Sequence, residues 1–224
     1  MHYNRWPDCG VGVVPAYTTS TYSIPVPART LRPYDYDLML DRYDNGYTPA
    51  QAAETARLIA DAGAICSINY GLAATGASTS DLLMGLITYM RYSKAASIAY
   101  KESYSDRKWI ALMKREVEAN RPVLYAGNNG NAGHQFVLDG YTDQDYFHFN
   151  WGWGGYSNGW FYIGGAGFDF DFDQCAIVNL EKDPDGSSTP RSYLNLYPYT
   201  SKGVRYAGLS ATCLLYTSDA ADDK

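Results

Sequence analysis

The chain has 224 residues, 46% of them hydrophobic and 15% aromatic, enough to bury one sizeable core. Its longest apolar runs, such as "AGAIC", fall far short of the roughly 20 residues a membrane-spanning helix needs. A net charge of -6 with no Lys or Arg cluster argues against nucleic acid or any other polyanion as partner.

In chain order, the opening stretch "VPAYTTSTYSIPVPARTLRPYDYD" is rich in Pro, Tyr and Thr. Alternation in "AYTTSTYSIPV" predicts an edge strand or hairpin, because prolines are excluded from central strands. A helix follows in "TPAQAAETARLIADAG", with Thr48 as N-cap, Pro49 at the first helical position, Gln51 completing a capping box and Gly63 ending it. Residues 64–70, "AICSINY", read as a short strand. The glycine-containing loop "GLAATGAS" leads to a second helix over about 80–91, with Leu82, Leu83, Leu86, Ile87 and Met90 at helical spacing. A third helix, about 106–119 behind a Ser105 cap, places Trp109, Leu112, Met113, Glu116 and Val117 on a mostly apolar stripe.

Five runs then read as strands: "PVLYAG", "HQFVLDG", "YFHFNW", "WFYIG" and "CAIVNL". Helices followed by an antiparallel meander predict an α+β fold, helices packed on an antiparallel sheet. The polar stretch "EKDPDGSSTPRS" reads as a linker, which puts a domain boundary near Lys182. Residues 182–212 then hold the linker and the start of a further β module.

The four cysteines, Cys9, Cys66, Cys175 and Cys213, are widely spaced with no CxxC pair. Neither a metal site nor a dense disulfide framework is indicated, and no cofactor is expected.

The chemistry concentrates in "GHQFVLDGYTDQDYFHFNWGWGGYSNGW". His134 opens one strand and Asn150 closes the next. A hairpin centred on Thr142 sets the two directly opposite each other, close enough for the amide to reach an imidazole nitrogen. On that register Asn150 orients His134, which acts as general base toward a thiol and general acid toward a leaving group. Trp151 or Trp153 covers the pair, and the surrounding glycines allow an extended substrate to approach. The plain alternative is a satisfied strand-start histidine beside an aromatic turn. His148 faces Phe136 on the same register and reads as structural.

Residues 51–180 resemble the catalytic domain of the streptopain family of papain-like bacterial cysteine peptidases. "ARLIADAGAICSINYG", "GASTSDLLMGLITYMRYS" and "WIALMKREVEANRPVLYAG" carry the likeness. Its most diagnostic block is "GHQFVLDGY" followed by "NWGWGG". The resemblance implies a papain-like domain over 1–181, protein or peptide substrates, and secretion from a bacterium. It implies that His134 is catalytic, that Asn150 orients it and that Trp151 packs over both, with Gly76, Ala77, Ser78 and Gly133 lining the substrate cleft.

The family nucleophile lies in a motif resembling CVATAxAQxMxYHxWP, and "MHYNRWP" aligns Met1 with the methionine inside it. The resemblance therefore sets the nucleophilic cysteine, much of its helix and the family's pro-domain upstream of Met1. The glutamine donor of the oxyanion hole falls there too. None of Cys9, Cys66 and Cys175 sits at a helix N-terminus, where a thiolate is stabilised. The stretch "GGAGFDFDFDQ" is shorter than the loop expected there, so cleavage preference is not carried over.

The final stretch, 213–224, resembles an in-frame read-through of a transposon-derived sequencing adapter rather than protein, and is expected to be an artefact. The leading expectation is a secreted cysteine endopeptidase whose present chain, without its cysteine, is inactive. A non-catalytic protein- or glycan-binding module using the Tyr- and Trp-rich surface is the alternative from a different class. Another thiol acyltransferase is a third.

Overall fold

A computed structural model describes residues 1–72, 74–190, 194–201 and 204–211. The adapter-like stretch 213–224, with Cys213, lies outside them. The chain forms two units, one from Met1–Ser93 with Glu181–Ser187, the other from Lys94–Leu180 with the chain from Ser188 onward.

In the first unit the Pro-rich stretch folds as short antiparallel pairs, as its alternation predicts. Strand β1 (Val13–Val14) and β2 (Tyr17–Thr18) pair with β4 (Arg29–Thr30) and β3 (Pro25–Val26), respectively. Helix α1 (Pro49–Ile65) starts with the expected reciprocal cap: Gln51 N–H donates to Thr48 Oγ1 at 3.3 Å and Thr48 N–H to Gln51 Oε1 at 2.8 Å. It does not stop at Gly63. That glycine serves close packing instead, since a Cβ there would lie 2.4 Å from the Tyr70 hydroxyl. The strand expected at 64–70 is correspondingly absent. Ala64 and Ile65 finish the helix, and only Asn69 pairs, in an isolated bridge to Gly76.

Helix α2 (Thr79–Tyr89) is capped by Ser78, whose Oγ accepts from Asp81 N–H at 3.0 Å. Gly85 lets α2 meet the end of α1, because a Cβ there would sit 2.3 Å from the Ile65 carbonyl oxygen. Arg29 and Tyr34 donate to buried Asp61 at 2.5 and 2.9 Å, so its charge is paired. The polar stretch 181–187, read from sequence as the start of a linker, is strapped to this unit. Ser93 N–H donates to the Glu181 carbonyl, and Lys182 Nζ to that of Asn4, both at 2.9 Å.

The second unit is built on six antiparallel strands. They are β5 (Ser97–Tyr100), β6 (Val123–Asn128), β7 (Gly133–Tyr141), β8 (Tyr146–Asn150), β9 (Gly159–Tyr162) and β10 (Phe172–Val178). Helix α3 (Asp106–Glu118) lies between β5 and β6 in the chain, and its Ser105 cap residue makes no side-chain bond to the helix. The expected meander holds from β6 to β9, but the full order is β5-β10-β6-β7-β8-β9. The last strand thus returns to the middle of the sheet. Its run "QCAIV", buried at every position, has the continuous burial of an internal strand. Strand β5, too short to stand out in the sequence, completes the other edge.

One face of this sheet is lined by Val123, Tyr125, Phe136, Leu138, Phe147 and Phe149, packed with Trp109, Leu112 and Met113 of α3. Farther along the chain, β11 (Leu194–Ser201) and β12 (Val204–Ala211) pair antiparallel as a separate two-stranded sheet.

Glu116 is the one carboxylate on the buried stripe of α3. It accepts Arg121 Nε at 2.7 Å and Nη2 at 3.1 Å, and Asn179 N–H at 2.8 Å. The helix end, the turn into β6 and the end of β10 are thereby joined at one charge. Removing that charge leaves the Arg121 guanidinium and the Asn179 N–H without it. Glu116→Ala is expected to lower stability by about 3 kcal/mol, read as a fall in urea midpoint with the m-value unchanged.

Candidate active site

The register of the β7–β8 hairpin decides which residues meet. The turn centres on residues 142–146, with Thr142 N–H donating to the Tyr146 carbonyl at 2.8 Å and Asp145 at φ 65°. That is later than the Thr142 centre expected from sequence. A bulge between Leu138 and Gly140 takes back one residue of that shift. Asn150 therefore pairs with Val137, not with His134. Carried on in the same register, position 153 comes level with His134. His148 likewise stands opposite Gly140 and not Phe136.

His134 is half-buried among aromatic rings. Trp153 stacks on it at 4.9 Å and 23°, with Phe170 at 5.3 Å, Phe136 at 5.7 Å and Trp151 at 6.4 Å between ring centroids. Its Nε2 lies 2.8 Å from the carbonyl oxygen of Trp151. A carbonyl only accepts, so Nε2 carries a proton, and on the neutral ring Nδ1 holds the lone pair.

The Trp151 peptide is held on both sides. Asn158 Oδ1 accepts Trp151 N–H at 3.0 Å, and Asn150 Oδ1 accepts Gly152 N–H at 3.0 Å. Gly152 has φ 77°, a conformation that glycine adopts without steric cost. Asn150 is exposed and makes no hydrogen bond to His134; it acts on the peptide that does. Trp151, 4% exposed, packs on Phe136 at 4.5 Å and joins the core.

Two contributors escaped the sequence reading. Phe170 reaches His134 because Gly127, directly opposite His134 on β6, has no side chain. A Cβ there would lie 2.2 Å from the Phe170 carbonyl oxygen. Asn158 is the other, and its only sequence signal is the turn-forming "YSNG" that brings the chain back into β9.

Gly133 opens β7 across from Asn128, with its surroundings open. In the other unit, Gly76 bridges Asn69, Ala77 is exposed, and Ser78 is spent as the α2 cap. Among the described residues no group of three His, Cys, Asp or Glu side chains could hold a metal ion. No helix there is long and apolar enough to cross a membrane.

The profile of the Peptidase C10 family matches residues 1–161. The chain belongs to that family. Streptopain of Streptococcus pyogenes is 29% identical over 199 residues, spanning 81% of this chain and 50% of the relative. The thiol protease/hemagglutinin PrtT of Porphyromonas gingivalis is 29% identical over 194 residues, 81% of this chain and 22% of its own length. The chain thus spans half or less of these curated relatives. Among solved structures, active interpain A cysteine protease of Prevotella intermedia superposes with a TM-score of 0.68 at 28% identity, over 80% of this chain and 78% of that one. A fragment of prointerpain A from the same organism gives 0.71 at 27% identity, over 82% and 60%. The α+β architecture is therefore that of a C10 peptidase.

Three cysteines of this C10 chain are among the described residues. Cys66 is buried, its thiol donates to the carbonyls of Ala62 and Gly63 at 3.3 Å each, and burial pushes its pKa up. Cys175 is buried on β10 level with Ala126, and Ala126 is level with Gln135, so its side chain takes the sheet face opposite His134. Cys9 is half-buried in a bridge to Pro33, its thiol on the Gly10 carbonyl at 3.1 Å.

Asn158→Ala is expected to release the Trp151 peptide and let the His134 proton redistribute. In nitrogen-15 spectra of the imidazole, the separated Nδ1 and Nε2 signals of the neutral ring should move toward each other. Spectra identical to the parent would show that Asn158 does not hold this peptide.

Proposed function

We propose that the second unit carries the acid–base half of a cysteine endopeptidase site, with His134 as the proton carrier. One observation supports this above the rest: the Nε2–H bond to the Trp151 carbonyl leaves the Nδ1 lone pair as the only base on the ring. Nδ1 takes the thiol proton as sulfur attacks a peptide carbonyl, then returns it to the leaving amine. Water then hydrolyses the acyl-enzyme, with Nδ1 again as base. Trp153, Trp151 and Phe170 limit water around the ring. Asn150 and Asn158 are positioning residues that work through the Trp151 peptide.

Substrates are proteins or peptides met outside the cell, by analogy with the streptopain resemblance, and a pro-domain restrains the complete enzyme. Gly133, which opens the strand that carries His134, borders the peptide chain. Cys66 and Cys175, both buried, lack the exposed setting that a reactive thiolate needs, which supports a nucleophile other than these two.

Two outcomes follow. The chain as it stands should label with a thiol-directed peptidase probe no faster than free cysteine, whereas rapid labelling of Cys9, Cys66 or Cys175 would overturn the assignment of the nucleophile. In the complete gene product, His134→Ala should lower kcat/KM on a peptide substrate by about a thousandfold. Retention of parent activity would instead favour the bland reading of His134 as a packed strand residue.

A further inference from the structure

The solvent face at the β8–β9 end of the sheet carries a second cluster that peptide hydrolysis does not use. Tyr146 pairs across the strands with Tyr162, and His148 with Trp160. Trp160 is 52% exposed, Tyr146 46% and Tyr162 42%, although each is large and apolar.

Two backbone features build this strip. The extra residue of the β7 bulge is Asp139, and its Oδ1 lies 2.5 Å from His148 Nδ1. The residue after it, Gly140, stands opposite His148. A Cβ at Gly140 would lie 3.3 Å from Trp160 Cη2, so the missing side chain lets the benzo end of the indole lie across the row. The indole is held along the sheet surface beside a carboxylate–imidazole pair, with His148 at 5.3 Å and 63° between rings.

The hydrogen bond within that pair fixes its polarity. A carboxylate accepts, so His148 Nδ1 donates to it; Asp139 Oδ2 remains an acceptor and, on the neutral ring, so does His148 Nε2. Neither makes a hydrogen bond to a described residue. A partner that covers both must supply a donor to each, because a buried acceptor left unpaired is costly. A nucleic acid or acidic glycan would meet the Asp139 carboxylate itself and, in the turn before Tyr146, Asp143 and Asp145, of which Asp145 alone has an ion-pair partner among the described residues, Lys114. Adjacent hydroxyls on a sugar ring supply two donors side by side. Its axial C–H bonds present partial positive charge to the negative face of an aromatic ring.

We propose that this strip is a binding site for neutral carbohydrate, with a pyranose resting on Trp160, its vicinal hydroxyls donating to Asp139 and His148, and Tyr146 and Tyr162 contacting the next unit. The site is on the sheet face opposite His134, and it stands whether or not the chain takes part in proteolysis.

The test is calorimetric titration of the whole chain with four neutral probes, chitohexaose, cellohexaose, maltohexaose and mannohexaose, and with sialyllactose as the charged control. At least one neutral hexasaccharide should saturate below about 10 mM, and sialyllactose should not. Trp160→Ala and Asp139→Ala should each weaken that binding at least about tenfold, with circular dichroism and melting unchanged. No saturation by any of the four, or equal affinity in Trp160→Ala, overturns the proposal. Dimerisation of the parent chain that is lost in Trp160→Ala also overturns it, and would assign the strip to a second copy pairing along edge strand β9. Neither the probes nor the readout involves peptide cleavage, so failure here leaves the peptidase reading untouched.

Discussion

The hydrogen bond from His134 Nε2 to the Trp151 carbonyl is the contact on which the rest of the site depends. A side-chain amide can turn over and present either donor or acceptor, so it fixes a tautomer only if it is itself held. A backbone carbonyl has one polarity, but it must be kept in place. Here Asn158 grips the N–H before the Trp151 ring and Asn150 the N–H after the carbonyl, while Gly152 supplies the positive φ that bends the chain between them. Asn150, Gly152 and Asn158 of "NWGWGGYSNG" thus share one physical role, holding the two peptide groups that flank Trp151.

That peptide rests on a rigid aromatic core with Tyr125 at its centre. Its hydroxyl accepts Trp109 Nε1–H at 2.9 Å and donates to Gln174 Oε1 at 2.5 Å, and burial raises its pKa far above the usual phenol range. Gln174 in turn donates to the Asp171 carbonyl at 2.8 Å. The chain reaches from the helix core to the segment carrying Phe168 and Phe170, and Phe170 touches the His134 ring. A fully bonded polar thread through an apolar core sets one packing arrangement among the several that rings alone would allow. The imidazole inherits that order.

Much of this architecture was legible in the sequence because its signals are local. The Thr48 capping box, the apolar stripe of α3 and the strands from β6 to β9 depend on neighbours a few residues apart. Gly63 was misread because a glycine near a helix end signals termination from sequence alone, whereas here Tyr70 needs the space. Strand β5 was missed for its brevity, and the return of β10 to the middle of the sheet is a long-range choice that spacing does not encode. His134 and Trp151 could be picked from the sequence. The partnership between His134 and Asn150 could not be judged, because it rested on a register. Phe170 and Asn158 come from connecting loops whose contacts only the folded chain defines.

The register itself turns on one residue. Between the turn and the bulge, Tyr141 is paired with Phe147 on the core side, and Gly140 with His148 on the solvent side. If that pairing ran on without interruption, the odd-numbered positions of β7 would all face the core and His134 would face solvent. Asp139 is the inserted residue, and beyond it Leu138 pairs with Phe149, so the even positions turn inward. His134 thereby joins Phe136 among the rings, while Asp139, left over by the insertion, meets His148 on the outer face. The bulge that delivers one histidine to the buried site therefore builds the carboxylate–imidazole pair around the other. The two histidine clusters share an origin in the backbone even though they share no side chain.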